Sequence, residues 1–310
     1  MRINPGFLFF LFFVFMVGMI FGQTKPPAIA GATPSPDAAQ SSPVSSSPQP
    51  EPRPYVYREA DGKKLQAFVF APQGATPGKP TAAILLFHGG GWVMGSAEWC
   101  FDAARDFAAA GLLAVAVEYR LSEGKVTPME SLDDARAAFR WIRAQAAEFN
   151  IDPKRVAGYG VSAGGHIVAA AATIDFPGDK TAPADSKPDL LLLWSGVLDV
   201  ASNEYFTKLL QGRGNAADYS PSQHAGASTP PTCIIHGEKD AYIPLSEVDG
   251  FKNRVVRAGG VCETHIYPGV GHLLTRNIAN QAAEVDPDPK FVEDGTAKFH
   301  AFLRARGFAN

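Results

Sequence analysis

Between Val156 and Thr173 the chain runs from a short apolar stretch into Gly160-Val161-Ser162-Ala163-Gly164 and out through a run of mostly small residues. Small neighbours on both sides of a serine let the backbone reverse sharply and push the hydroxyl into the open. The segment is therefore expected as a buried strand, a tight turn carrying Ser162, and a closely packed helix over Gly164 to Thr173. A serine hydroxyl is a weak nucleophile by itself, so a functional reading also needs a base, an orienting acid and a site for developing negative charge.

The rest of the chain from Tyr55 onward alternates strand and helix patterns. Tyr55 to Arg58 and Leu65 to Phe70 flank Asp61-Gly62, the signature of a hairpin turn. Thr81 to Phe87 and Leu112 to Glu118 read as strands, with a helix over about Glu98 to Ala110 between them. Leu132, Ala135, Phe139, Ile142 and Ala146 recur on one face and predict a helix over Pro128 to Phe149, ended by Asp152-Pro153. Leu190 to Trp194, Thr232 to Ile235 and Glu263 to Tyr267 are later strands, with helices at Leu245 to Ala258 and Phe291 to Arg306. One hairpin followed by repeated strand-helix units implies an α/β fold: a mostly parallel, doubly wound sheet of about eight strands with helices on both faces. In such sheets ligands bind at the carboxyl ends of the strands.

The first residues have the composition of an export signal: Arg2, then an apolar run from Phe7 to Phe21 broken only by Gly18. At about 15 residues the run is short of the ~20 that span a bilayer, so residues 1–22 are expected as a cleaved signal peptide and the product as secreted or periplasmic, with a retained N-terminal anchor as the alternative. Residues 23–54, rich in Pro, Ser and Ala, are expected as an extended tether, and 55–310 as one domain. A net charge of −3 without a basic stripe argues against nucleic acid as a partner. Cys100, Cys233 and Cys262 form no metal-binding set. Cys233 and Cys262 each begin an apolar run, which leaves a bridge between them open in an oxidising compartment.

Three more features fall at predicted strand ends. After Phe87 comes His88-Gly89-Gly90-Gly91-Trp92, whose glycine amides, with the amide of Ala163, could cradle an oxyanion. A phosphate loop would need a Lys-Ser/Thr ending, which this loop does not have. His88 is expected to brace the loop. After Ile235 comes His236-Gly237-Glu238-Lys239-Asp240, where Asp240 lies deeper than Glu238 and is the preferred acid, with Asp199 the other contender. After Tyr267 comes Pro268-Gly269-Val270-Gly271-His272, a loop able to carry an imidazole over the sheet edge. His166 is expected to pack or cap.

Together these segments, with Tyr119-Arg120-Leu121 and Asp152-Pro153, resemble the α/β-hydrolase superfamily, in particular its esterase/lipase branch with an HGGG loop. Within that branch they are similar to secreted carbohydrate and feruloyl-type (BD-FAE-like) esterases over about residues 55–310. The resemblance implies Ser162, Asp240 and His272 as a triad, Gly90, Gly91 and Ala163 as oxyanion donors, and no metal or organic cofactor. The chain departs from relatives that carry N-terminal cap helices. Here that region is the proline-rich stretch, and only 174–186 and 201–229 have room for a cover.

The expected chemistry is hydrolysis of a short-chain or aromatic-acid ester, small or polysaccharide-linked, with Trp92 beside the oxyanion loop touching substrate and no membrane partner once the signal is cleaved. Three rivals are weighed. Gly158-x-Gly160-x-x-Ala163 fits a dinucleotide fingerprint, but at the wrong strand and with Trp194 where an acidic residue is required. A peptidase with the same chain order lacks room for its usual gate before Tyr55. A non-catalytic binding module is the third, since fold alone does not fix function.

Overall fold

Asp61 and Gly62 both take positive φ, 51° and 73°, the geometry that a two-residue hairpin turn requires. They join β1 (Arg53–Ala60) to β2 (Lys63–Phe70), which pair antiparallel. The computed structural model describes residues 51–76, 78–175, 184–281 and 285–309. The leader expected at 1–22, and all of the expected tether before residue 51, lie outside the described residues. β1 begins at Arg53, slightly before the expected Tyr55.

The remaining strands are β3 (Thr81–Phe87), β4 (Leu113–Val117), β5 (Ile151–Val161), β6 (Leu190–Trp194), β7 (Thr232–Gly237) and β8 (Cys262–Tyr267). They form one eight-stranded sheet in the order β1-β2-β4-β3-β5-β6-β7-β8, parallel from β4 through β8. This is the α/β-hydrolase fold. Because side chains alternate along a strand, the apolar runs supply both faces. Ala83, Leu85 and Phe87 of β3 join one core, and Ala82, Ile84 and Leu86 the other. The first core is covered by α2 (Pro128–Ala144), α3 (Ala163–Thr173) and α5 (Leu245–Arg257), the second by α1 (Phe101–Ala109) and α6 (Pro289–Ala305).

The helix expected over Pro128 to Phe149 is interrupted at Gln145, after which Ala146–Phe149 forms a separate short turn. At its start Thr127 caps the first turn and Glu130 bonds back to the Thr127 amide at 2.8 Å, with Pro128 at the first helical position.

The bridge left open between Cys233 and Cys262 does not form; all three cysteines are free and buried. Register explains this. Cys262 pairs with Thr232, so Cys233 is one residue out of step and points to the opposite face. Cys233 lies in the second core and Cys262 in the first.

A buried ionic cluster ties the hairpin to the parallel sheet. The guanidinium of Arg120, after β4, donates from Nε and Nη2 to the two oxygens of Asp134 on α2, both at 2.9 Å, and from Nη1 to Asp61. Arg58 of β1 also reaches Asp134 at 2.9 Å. The Asp134 side chain is fully buried, and burial raises its pKa above the ordinary carboxylate value, although the guanidinium and amide bonds from Arg120 and the charges of Arg120 and Arg58 oppose this. Removing one partner from such a set leaves an uncompensated buried charge, a loss of about 3–5 kcal/mol. Asp134→Ala is therefore expected to lower unfolding free energy by that amount in urea titration. A loss below ~1 kcal/mol would contradict the assignment of this cluster as a structural tie.

Candidate active site

β5 delivers Ser162 into a conformation that few residues adopt, φ 51° and ψ −117°. The glycines around it are compelled by contact. A Cβ on Gly160 would overlap the backbone of Gly164, and one on Gly164 would overlap the carbonyls of Phe87 and His88. A Cβ on Gly165 would come within 2.6 Å of Gly196 Cα. α3 can therefore start directly behind the serine only with these residues. The same contacts dispose of the dinucleotide fingerprint: the room that Gly158 and Gly160 leave is filled by Val168 and Gly164.

Two loops bring the other side chains to the serine. Ser162 Oγ lies 3.1 Å from His272 Nε2, and His272 Nδ1–H donates to Asp240 Oδ2 at 2.8 Å. The second oxygen of Asp240 accepts the amides of Tyr242 and Ile243, each at 2.9 Å. Burial alone would raise the Asp240 pKa, but the bond and charge of His272, His236 and the Ile243 amide hold it below the ordinary value. The acid is thus a carboxylate facing an imidazole that faces a hydroxyl. The other acid contenders are elsewhere: Asp199 accepts Ser220 Oγ–H at 2.8 Å, and Glu238 accepts the Gly269 amide at 3.1 Å.

The glycine loop lies over the serine. A Cβ on Gly89 would sit 3.2 Å from Ser162 Cβ. Gly90, Gly91 and Trp92 all have positive φ, 108°, 59° and 65°, and the Gly90 carbonyl turns outward to accept the amides of Val93 and Met94 at 3.1 Å. Among the described residues the amides of Gly90, Gly91 and Ala163 donate to no protein group. His88 stacks on Tyr119 with ring centroids 4.3 Å apart, donates from Nδ1–H to the Gly89 carbonyl at 2.6 Å, and its own carbonyl accepts Tyr119 O–H at 2.8 Å. Burial lowers the His88 pKa to about 4, so the ring is a neutral brace.

Trp92, expected at the substrate, is 3 % exposed. Its indole packs on Phe206 and donates to His166 Nδ1 at 3.3 Å. His166 in turn donates from Nε2–H to the Tyr219 carbonyl at 2.8 Å, and burial lowers its pKa to about 4. Both rings therefore act on the shape of the loop and on the segment over it. That segment, within 201–229, includes α4 (Glu204–Leu209), whose Tyr205 O–H donates to the Gly91 carbonyl at 3.3 Å. Among the described residues no group of three or more His, Cys, Asp or Glu side chains could hold a metal ion.

Residues 69–255 match the sequence model of the BD-FAE family. The chain belongs to the BD-FAE family. This BD-FAE chain is 27 % identical over 251 residues to a probable carboxylic ester hydrolase, LipM, of Mycobacterium tuberculosis, covering 67 % of the chain and 58 % of LipM. It is 28 % identical over 226 residues to an acetylxylan esterase of Xylanibacter ruminicola, covering 69 % of the chain and 44 % of that protein. The chain thus spans about half the length of the curated relatives it matches. Esterase 2 of Thermogutta terrifontis, solved with propionate bound, superposes with a TM-score of 0.74 at 26 % identity, over 85 % of this chain and 97 % of that one.

The BD-FAE domain also holds site residues that carried no signal in its sequence. Ser195, fully buried, accepts the Leu273 amide at 3.2 Å beside the histidine. Gln281 bonds to both loops. Glu247, in the first turn of α5, accepts the Asp199 amide at 3.2 Å. Burial pushes its carboxyl from 4.5 up to about 7, the Asp199 and Asp240 charges adding to burial and the Leu198 and Asp199 amides opposing it. A pKa raised on folding stabilises fully below the unfolded value, and that contribution is lost as pH rises through the folded one. Glu247→Gln keeps an acceptor oxygen and has no charge to bury. Its thermal stability relative to wild type should therefore improve between pH 5 and pH 8.5, by ~1–2 kcal/mol after solvent screening. An unchanged difference across that range would contradict a buried, titrating Glu247.

Proposed function

We propose that the chain is a serine carboxylic-ester hydrolase that works through an acyl-enzyme on short acyl esters, including those of carbohydrate alcohols. The observation that carries the reading is the Ser162–His272–Asp240 relay, at 3.1 and 2.8 Å, beneath a loop with undonated amides. His272 takes the Ser162 proton as Oγ attacks the ester carbonyl, and Asp240 stabilises the imidazolium. The amides of Gly90, Gly91 and Ala163 bind the oxyanion, each such donor worth ~10²–10³ in turnover. His272 then protonates the departing alcohol, and water repeats the sequence on the acyl-enzyme to release the acid.

Two features support the substrate class. Trp92, Tyr205 and Phe206 pack together beside the oxyanion loop, and rings of that size favour a short acyl chain there. On the other side, Tyr242, 39 % exposed, lies 5.4 Å ring to ring from His272, so the alcohol departs toward an open, aromatic rim. The relatives named acetylxylan esterase and ethyl acetate hydrolase fit small acyl groups on varied alcohols.

Ser162→Ala should fold normally and lose at least ~10⁴ in kcat on p-nitrophenyl acetate. Activity within tenfold of wild type would remove the serine from the mechanism. Across p-nitrophenyl esters, kcat/KM for acetate or butyrate should exceed that for decanoate by at least ~10-fold, given the 1–3 kcal/mol that one misplaced methylene costs in a closed pocket. Faster cleavage of decanoate would overturn the short-acyl assignment.

A further inference from the structure

After His272 the chain makes an excursion before α6, and the base of that excursion is pinned. Thr275 bridges to Pro287, the Arg276 amide donates to the Asp286 carbonyl at 2.8 Å, and the Arg276 guanidinium forks onto the Asp286 carboxylate at 2.7 and 3.0 Å. Burial within it is inverted relative to ordinary side-chain preference. Ile278 is 41 % exposed, whereas Gln281 is only 6 % exposed. A polar amide goes inside when its hydrogen-bonding groups are used there.

Those groups are used on the two loops that meet at the serine. Gln281 Oε1 accepts the His272 amide at 2.8 Å and the Ala241 amide at 3.2 Å, and Nε2 donates to the Lys239 carbonyl at 2.8 Å. One planar group thus grips the backbone on both sides of Asp240 and the backbone of the residue that Asp240 orients. The packing admits nothing larger around it: a Cβ on Gly271 would overlap the Gln281 amide, and one on Gly237 would overlap the Gly271 carbonyl. The two loops also meet directly, through the Lys239 amide to the Val270 carbonyl at 2.8 Å, the Glu238 amide to the Tyr267 carbonyl at 2.9 Å and the Gly269 amide to the Glu238 carboxylate at 3.1 Å, but of these contacts only Gln281 bonds both sides of Asp240 and His272 at once.

We infer that Gln281 is a positioning residue that sets the distance between Asp240 and His272, so that the imidazole stays aligned on Ser162 through both halves of the reaction. It bonds neither the Asp240 nor the His272 side chain; it acts through the His272 amide and through the backbone that flanks Asp240. The inference rests on the esterase reading, and the titratable groups around the imidazole are Asp240, Tyr242 and, behind the acid, His236 and Glu247.

Two variants of similar length test it. Gln281→Met keeps the volume and removes all three bonds; Gln281→Glu keeps acceptors, loses the donor and adds a charge beside His272. With folding checked by thermal melt, Gln281→Met should lower kcat ~10–100-fold with KM within about twofold, the size of effect a small misalignment produces. The low-field proton resonance of the His272–Asp240 bond in the resting protein should broaden or vanish in the same variant. Gln281→Glu should move the acid limb of kcat/KM to higher pH, because the added carboxylate favours the imidazolium. Wild-type kcat and an intact resonance in Gln281→Met, or an unmoved acid limb in Gln281→Glu, would overturn the inference, as would a loss that merely tracks the unfolded fraction. If wild type turns over no ester faster than Ser162→Ala, the esterase reading fails instead, and the proton resonance still decides the role of Gln281.

Discussion

The backbone at Ser162 is the constraint from which the site follows. A non-glycine residue at φ 51°, ψ −117° costs on the order of 1–3 kcal/mol and persists only where its surroundings over-determine it. Here they do: the Ser162 amide donates to the Trp194 carbonyl at 3.0 Å, its carbonyl accepts the amides of His166 and Val197, both at 3.2 Å, and a buried helix of small residues closes behind it. Burial of α3 between sheet and α2 offsets the strain. The result is a hydroxyl raised off the end of β5 with no freedom to retreat.

What surrounds that hydroxyl is a set of loops held by polar contacts rather than by packing alone. The glycine loop is fixed from one side by the His88–Tyr119 stack and, through the adjacent Arg120, by the Asp134 cluster that reaches back to the hairpin. From the other side it is fixed by Trp92, His166 and the Tyr219 carbonyl. Burial keeps both braces, His88 and His166, neutral well below physiological pH, so neither competes with His272 for protons. The fold-level features and the reacting groups are therefore mechanically continuous.

Much of this was legible from residues because the physics was local. Apolar runs of strand length gave every parallel strand, Asp61-Gly62 gave the hairpin, and the one-face spacing of Leu132, Ala135, Phe139 and Ile142 gave α2. The glycines at 90, 160 and 164 lie where another stretch of backbone approaches closely, and Gly271 where the Gln281 amide does. What stayed hidden depends on partners distant in sequence. Asp61 reads as a turn residue and Arg120 as part of the Tyr119-Arg120-Leu121 stretch, neither of which points to Asp134 as a partner, and Gln281 sits in a polar stretch without periodicity. Trp92 is placed correctly beside the glycine loop, but only the packing of Phe206 and His166 shows its ring to be interior. The cysteine pairing turned on a one-residue register between β7 and β8, which no strand pattern specifies.

The central claim is that His272, held by Asp240, makes the Ser162 oxygen the one strongly nucleophilic hydroxyl of the protein. Exposure to paraoxon followed by peptide mass spectrometry tests this directly, since attack transfers a diethyl phosphoryl group to the nucleophile and releases p-nitrophenolate. The account predicts a single adduct, on Ser162, in the wild type, and its near-complete loss in His272→Ala. An adduct on another residue, or labelling of Ser162 at an undiminished rate without His272, would contradict it.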